Sequence, residues 1–256
     1  MMKFSPNLTM LYTEAPFLER FERASRAGFT HVEFQLPYEA GFAAVKSRLD
    51  AFNLKAVLFN LLPGDTAHGE LGTLSNPNRR DFFRSSFLTA LEGAQTLGVG
   101  LLNTVIGQKV DGLEASAQVE CAIENLNWAL PQAQAAGVSL LIEPLNPSDF
   151  PNYFVHTTRQ AMKIIEAVNH PNLKLQYDVY HAQMTEGNLI NTLTACFQRL
   201  GHIQIADVPG RHQPGTGEIN FPAVFAALEK LGYDGFIGLE YKPLPETDDS
   251  LGWMNK

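Results

Sequence analysis

The chain predicts a single (β/α)8 barrel spanning residues 1–256. Short runs rich in aliphatic and β-branched residues alternate with longer amphipathic stretches, a pattern that favours a parallel sheet covered by helices. Eight such units in roughly 250 residues favour closure of that sheet into a barrel. An open doubly wound sheet would instead carry a glycine-rich phosphate loop after an early strand, and neither GxGxxG nor GxxxxGK[ST] occurs.

The elements follow in order. Phe4–Met10 reads as the first strand, and Pro16–Ala27 as a helix with proline in its first turn and Gly28 at its end. His31–Leu36 is the second strand and Glu39–Phe52 the second helix. Leu54–Asn60 is the third strand, leading into the polar loop LLPGDTAHGELGTLSNP. Arg79–Leu97 is a long helix closed by Gly98, and Leu101–Ile106 is the fourth strand. Ser116–Ala136 is a helix that Pro131 should kink or divide, because proline has no N–H to donate and its ring crowds the preceding turn. Val138–Pro144 is the fifth strand, Thr157–Val168 a helix capped by one of its two leading threonines, and Leu173–Asp178 the sixth strand. Leu189–Leu200 is a helix, His202–Ala206 the seventh strand, Phe221–Leu231 a helix and Phe236–Tyr241 the eighth strand.

With 256 residues, 45% of them hydrophobic, the chain can bury a large core. Its formal net charge of −8, with no Lys/Arg-rich block, disfavours a nucleic-acid partner, which would demand a basic stripe. No hydrophobic signal core and no run long enough to span a bilayer is seen, so a cytoplasmic protein without a membrane partner is expected. Cys121 and Cys196, far apart and both in predicted helices, read as small buried apolar residues, and no cysteine–histidine cluster has zinc spacing.

Four strands of the C-terminal half end in an oxygen-bearing side chain: Glu143, Asp178, Gln204 and Glu240. Any one of them has an ordinary explanation as a strand-end ion pair, a turn cap or a satisfied buried amide. Together, at one rim of a closed barrel, three carboxylates and an amide would repel each other unless a cation sat among them. An all-oxygen set suits Mg²⁺ first and Mn²⁺ second. Such an ion, polarising the carbonyl of a small α-hydroxy carbonyl compound, would acidify the neighbouring C–H, and Glu143 and Glu240 would move the proton through an enediol. His181 is a candidate donor to a substrate oxygen, Arg211 and Lys242 are candidate cations for an anionic substrate, and Asn60 is a further donor. A surface pairing of Arg211 with Asp207 or Glu218 is the competing expectation. Glu33 should point into the barrel if Val32 and Phe34 face the helices. The loop Pro63–Gly72 is long enough to act as a lid, with His68 facing solvent.

The segments FNLLPGD…GELG, LIEPLN, YDVYHAQ, HIQIAD, GEINF and GLEYKP, in that order, resemble the hydroxypyruvate isomerase family of the xylose isomerase-like TIM-barrel superfamily. The resemblance covers almost the whole chain. It implies that Glu143, Asp178, Gln204 and Glu240 bind a divalent metal, that the two glutamates transfer the proton, and that His181 touches substrate. It implies interconversion of hydroxypyruvate with 2-hydroxy-3-oxopropanoate (tartronate semialdehyde), a small anionic 2-oxo acid substrate. The N-terminal segment NLTMLYTEAPFLERF is equally similar to the subgroup that isomerises four-carbon 2-oxo-tetronates. One departure is Thr66, where the family loop reads PGDW; the lost aromatic bears on the pocket or on packing in a homo-oligomer, which stays open. A ketose 3-epimerase, usually with histidine at the position of Gln204, and a DNA-repair endonuclease, which would need several metal-binding histidines and a basic groove, are the more distant readings.

Overall fold

The computed structural model describes residues 2–255. Nine short strands alternate with helices: β1 Lys3–Pro6, β2 His31–Val32, β3 Lys55–Ala56, β4 Leu58–Asn60, β5 Leu101–Asn103, β6 Ser139–Ile142, β7 Leu173–Asp178, β8 Leu200–Ile205 and β9 Phe236–Leu239. Seven form one sheet in the order β1-β9-β8-β7-β6-β5-β4, and β2 and β3 form a second pair. Every pairing between these strands is parallel. Backbone bonds close the ring between the two sets. Asn7 bridges Glu33, and Glu33 N donates to Pro6 O at 3.0 Å. Phe34 N donates to Leu58 O at 3.3 Å, and β3 runs into β4 through Val57, whose N donates to Val32 O at 2.9 Å. The predicted third strand is therefore one bent strand that hands its pairing from β2 to β5. The result is a (β/α)8 barrel.

Several boundaries differ from the sequence expectation. The first strand stops at Pro6 because Asn7 turns the chain, its carbonyl accepting from Met10 N at 3.0 Å and Leu11 N at 2.8 Å. The helix Ala115–Ala135 runs unbroken through Pro131, and the Gln132 amide donates to Trp128 O at 2.9 Å beside the turn that proline weakens. Thr157 is the cap of Thr158–Val168, in a reciprocal capping box with Gln160. The predicted helix Leu189–Leu200 ends at Cys196, a 3-10 turn follows over Phe197–Arg199, and β8 starts at Leu200. A helix the sequence reading did not anticipate, Val179–Thr185, starts directly after β7 with Asp178 as its N-cap. Its seven residues are too few to display a helical period.

Alternation along the strands sorts side chains into two layers. Outside the barrel lies an apolar sheath: Phe34 packs edge-on against Phe17, and Phe4 against Phe225 and Trp253. Both cysteines are buried and free. Inside, where barrels of this kind ordinarily stack Val, Ile and Leu, there is a column of buried polar groups: Ser5, Asn7, Glu33, Gln176, His202 and Gln204. Among the described residues, no helix is long and apolar enough to cross a membrane.

Candidate active site

The four strand-end oxygens do lie along one rim, and register explains how. Asp178 pairs with Gln204 across β7 and β8, and Gln204 with Gly238 across β8 and β9, so Glu240 stands two residues further along its strand. Ile142 pairs with Leu175, which places Glu143 two residues behind the level of Asp178. This progressive advance is what tilted strands need. A barrel of eight strands with shear eight advances about one residue per strand to hold constant height.

Burial raises all three carboxylates. Glu143 is held well above its ordinary range by burial first and by the charges of Glu240 and Asp178, opposed by Arg211 and by the Asn103 amide, which donates to its Oε2 at 2.7 Å. Asp178 is raised by burial, opposed by Arg211 and by the N–H groups of Tyr180 and His181. Glu240 is pushed up to about 7 by burial, against the pull of Arg211. Its Oε1 accepts from Gln35 at 2.8 Å and Asn7 at 3.1 Å. Arg211 Nη2 bridges Glu240 Oε2 at 2.6 Å and Asp178 Oδ2 at 3.3 Å. Burial alone would lower the guanidinium, and the surrounding carboxylates more than offset it, leaving a net upward shift.

Arg211 is therefore not a surface residue paired with Asp207 or Glu218. Asp207 has a different task. Its buried carboxylate accepts from four backbone N–H groups, those of Val208, Gly215, Gly217 and Ile219, and so ties the loop that carries Arg211 into one shape. Gly217 is required there, because a Cβ would come within 2.0 Å of Val208 O. Arg211 lies at φ 60, with its guanidinium 5.0 Å from the centre of the Tyr180 ring.

His181, buried on the unanticipated helix, has its ionised form strongly disfavoured by burial and by Arg211. Its Nδ1 faces two donors, the Asn146 backbone N at 3.2 Å and side-chain amide at 2.8 Å. A neutral imidazole accepting at Nδ1 carries its hydrogen on Nε2. Nε2 lies 3.6 Å from Asp178 Oδ2, too far for a hydrogen bond, so its N–H remains free to donate to a ligand.

A cavity of about 170 Å³ opens here, walled by Glu143, Glu240, His181, Arg211 and Asn60 together with Gln35, Asn103, Leu71 and Phe150. The carboxamide of Asn60 makes no hydrogen bond to protein, while its backbone carbonyl accepts from Tyr38 at 2.8 Å. Lys242 is exposed and off the cavity wall, against the expectation that it meets substrate. The lid-like loop is braced: Glu70 accepts from Asp65 N at 2.6 Å and from Arg79 at 2.7 Å. His68 in this loop is exposed, as expected. Sequence reasoning missed Asn7, Gln35, Asn103 and Asn146. Asn7, Gln35 and Asn103 fall inside the predicted strands, so they do not carry the signal that marked the carboxylates, a polar residue ending an apolar run.

The donor set fits a hard divalent cation. Glu143, Asp178 and His181 present ligand-type atoms all within 4.8 Å of one another. Three buried carboxylates face one guanidinium, so the cluster is short of positive charge. Within this group His181, with its hydrogen on Nε2, is a poorer ligand than the carboxylate oxygens of Glu143 and Asp178. The Gln204 oxygen, at the level of Asp178, accepts from Gln176 at 2.6 Å and has a second lone pair to offer.

A family model described as xylose isomerase-like TIM barrel matches residues 21–256. Hydroxypyruvate isomerase of Escherichia coli is 42% identical over 100% of this chain and 99% of its own. The 2-oxo-tetronate isomerase of Cupriavidus necator is 42% identical over 99% of this chain and 98% of its own. The crystal structure of a Brucella melitensis protein described as AP endonuclease, family 2 superposes with a TM-score of 0.97 at 39% identity, over 100% of this chain and 98% of that one. Fold and rim-borne site thus define an isomerase of the xylose isomerase-like TIM-barrel class. Within that class the chain belongs to the hydroxypyruvate isomerase family, in which the 2-oxo-tetronate isomerases are also found.

Proposed function

We propose that this isomerase interconverts the keto and aldehyde forms of a small hydroxy-oxo acid, hydroxypyruvate and 2-hydroxy-3-oxopropanoate, with a divalent metal ion, Mg²⁺ or Mn²⁺. The observation that carries the reading is the convergence of Glu143 and Glu240, both buried and both raised in proton affinity, on one small cavity. When bound, the ion polarises the substrate carbonyl and makes the adjacent carbon acid. Glu143, Asp178, Gln204 and Glu240 would hold it.

The remaining steps belong to the protein's side chains. The Glu143 and Glu240 carboxylates move one proton: it leaves C3 of hydroxypyruvate to form an enediol and is returned to C2, while the hydroxyl proton shifts from O3 to O2. A buried carboxylate beside the reacting carbon can take the proton and give it back without leaving the site. Asn103 holds one oxygen of Glu143, and the other makes no hydrogen bond to protein. His181 Nε2–H donates to a substrate oxygen. Arg211 Nη1, unused in the ion pairs, donates to the substrate carboxylate, and Asn60 completes the far side.

A four-carbon 2-oxo-tetronate is the second reading, favoured by the equal 42% identity to a relative of that name. An endonuclease role is disfavoured by the formal net charge of −8 with no Lys/Arg-rich block to track a phosphate backbone. The test is a panel of three- and four-carbon 2-oxo acids, with solvent deuterium uptake followed by NMR. Turnover should vanish on chelation and return with Mg²⁺ or Mn²⁺. Full activity in metal-free protein rejects the metal-dependent reading, and failure to turn over any acid of the panel rejects the substrate class.

A further inference from the structure

Glu33 lies at the centre of the barrel with no exposure to solvent, outside the proton-transfer pair and off the cavity wall. Its carboxylate receives four hydrogen bonds. Oε1 accepts from Gln204 Nε2 at 2.8 Å and Asn7 Nδ2 at 3.2 Å, and Oε2 accepts from His202 Nε2 at 2.7 Å and Ser5 Oγ at 3.2 Å. Two of these partners lead to the site. Asn7 divides its NH₂ between Glu33 and Glu240, while Gln204 gives its nitrogen to Glu33 and accepts from Gln176 with its oxygen. The backbone makes room for this arrangement: a Cβ at Gly238 would lie 2.4 Å from Glu33 Oε1.

We propose that Glu33 is a positioning residue that fixes the amides of Gln204 and Asn7. The physical reason is the one-sidedness of a carboxylate: it offers only acceptors, so each amide must present its NH₂ to it. Gln204 then turns its carbonyl oxygen away from Glu33, where it accepts from Gln176 at 2.6 Å and keeps a second lone pair for a cation, and Asn7 has its second hydrogen for Glu240. An uncharged amide at position 33 offers both donors and acceptors, and the orientation of Gln204 is no longer dictated. The inference rests on the proposed metal reading, since it gives Gln204 the part of a ligand.

The experiment is a double-mutant cycle on Mn²⁺ affinity, measured by calorimetry on Glu33→Gln, Gln204→Ala and the double variant, with circular dichroism checking the fold. Glu33→Gln should weaken Mn²⁺ binding by roughly 10- to 100-fold, the usual effect of removing a group that orients a ligand. In the Gln204→Ala background it should add little beyond the effect transmitted by Asn7. An unchanged affinity in folded Glu33→Gln, or fully additive losses, overturns the proposal. If instead the unsubstituted protein fails to bind Mn²⁺, or Gln204→Ala binds it normally, the metal reading itself fails, a result distinguishable from the first. A measurement free of any change at position 33 stands beside the cycle. The Gln204 side-chain NH₂ resonances of the unsubstituted protein should be protected from exchange with solvent, and rapid exchange contradicts the bond to Glu33.

Discussion

Alternate residues of the same strands live in opposite chemistry. On β8, Ile203 and Ile205 face the helices in the apolar sheath, while His202 and Gln204 reach inward to Glu33. The sheath gains stability from area removed from water, a force without direction that tolerates substitution of similar volume. The column is directional: each group is stabilised only while its partners keep their places, and a lost partner leaves a buried polar atom unpaired. Gln176 Oε1 and His202 Nδ1 have no hydrogen-bond partner among the described residues. The sheath therefore holds the barrel together, and the column gives up packing strength for the orientation of the groups above it.

Substitutions should separate the two layers. The largest effect falls on the column's upper end: Glu240→Gln should lower kcat by roughly 10²- to 10⁴-fold, the worth of a proton-transferring group, with the fold intact. Deuterium exchange persisting at the substrate carbon in that variant would remove Glu240 from proton transfer. In the sheath, Ile203→Ala should cost about 2–5 kcal/mol in urea unfolding, with kcat per folded molecule unchanged. A loss of kcat in the folded variant would show that the two layers are coupled. Gly238→Ala forces a methyl group against Glu33 and should cost about 1–3 kcal/mol. Unlike Ile203→Ala, it should also weaken Mn²⁺ binding, and normal binding would break the distinction.

The pH dependence of the metal-free protein sharpens the same contrast. Glu240 in the folded state is raised from 4.5 to about 7, so the folded protein holds this proton more tightly than the unfolded chain. Its contribution to stability is fully present below 4.5 and is lost as pH rises through about 7. Melting temperature should fall across that window, and Glu240→Gln should flatten the fall; an identical slope in both proteins assigns it elsewhere. The smallest effect is expected at Lys242. Exposed and off the cavity wall, its replacement by alanine should leave KM unchanged and stability within about 0.5 kcal/mol. A raised KM would restore it to substrate recognition.

Much of the site was legible before any coordinates, because a strand buried on both faces spells an apolar run and a polar residue ending that run stands out. That signal found Glu143, Asp178, Gln204 and Glu240, while alternation with Val32 and Phe34 put Glu33 inside the barrel. It passed over Asn103, whose amide grips Glu143, because the predicted strand runs on to Ile106 and leaves this asparagine in its interior. It passed over the helix at Val179–Thr185 because seven residues show no period, and so the seating of His181 against Asn146 went unseen. Arg211 was found as a cation, but its partners belong to strands distant in sequence.

Local chemistry along the chain determined the alternation of elements, hence the barrel, and the identity of most groups at its rim. Only the tertiary structure decided which of them meet. Meeting depends on register and tilt. The advance from Glu143 to Asp178 and from Gln204 to Glu240 compensates for the slant of the strands, and a shift of one residue would turn any of these side chains out into the sheath. Orientation likewise belongs to the folded state, since an amide or an imidazole has no preferred face until a neighbour that can only donate or only accept stands beside it.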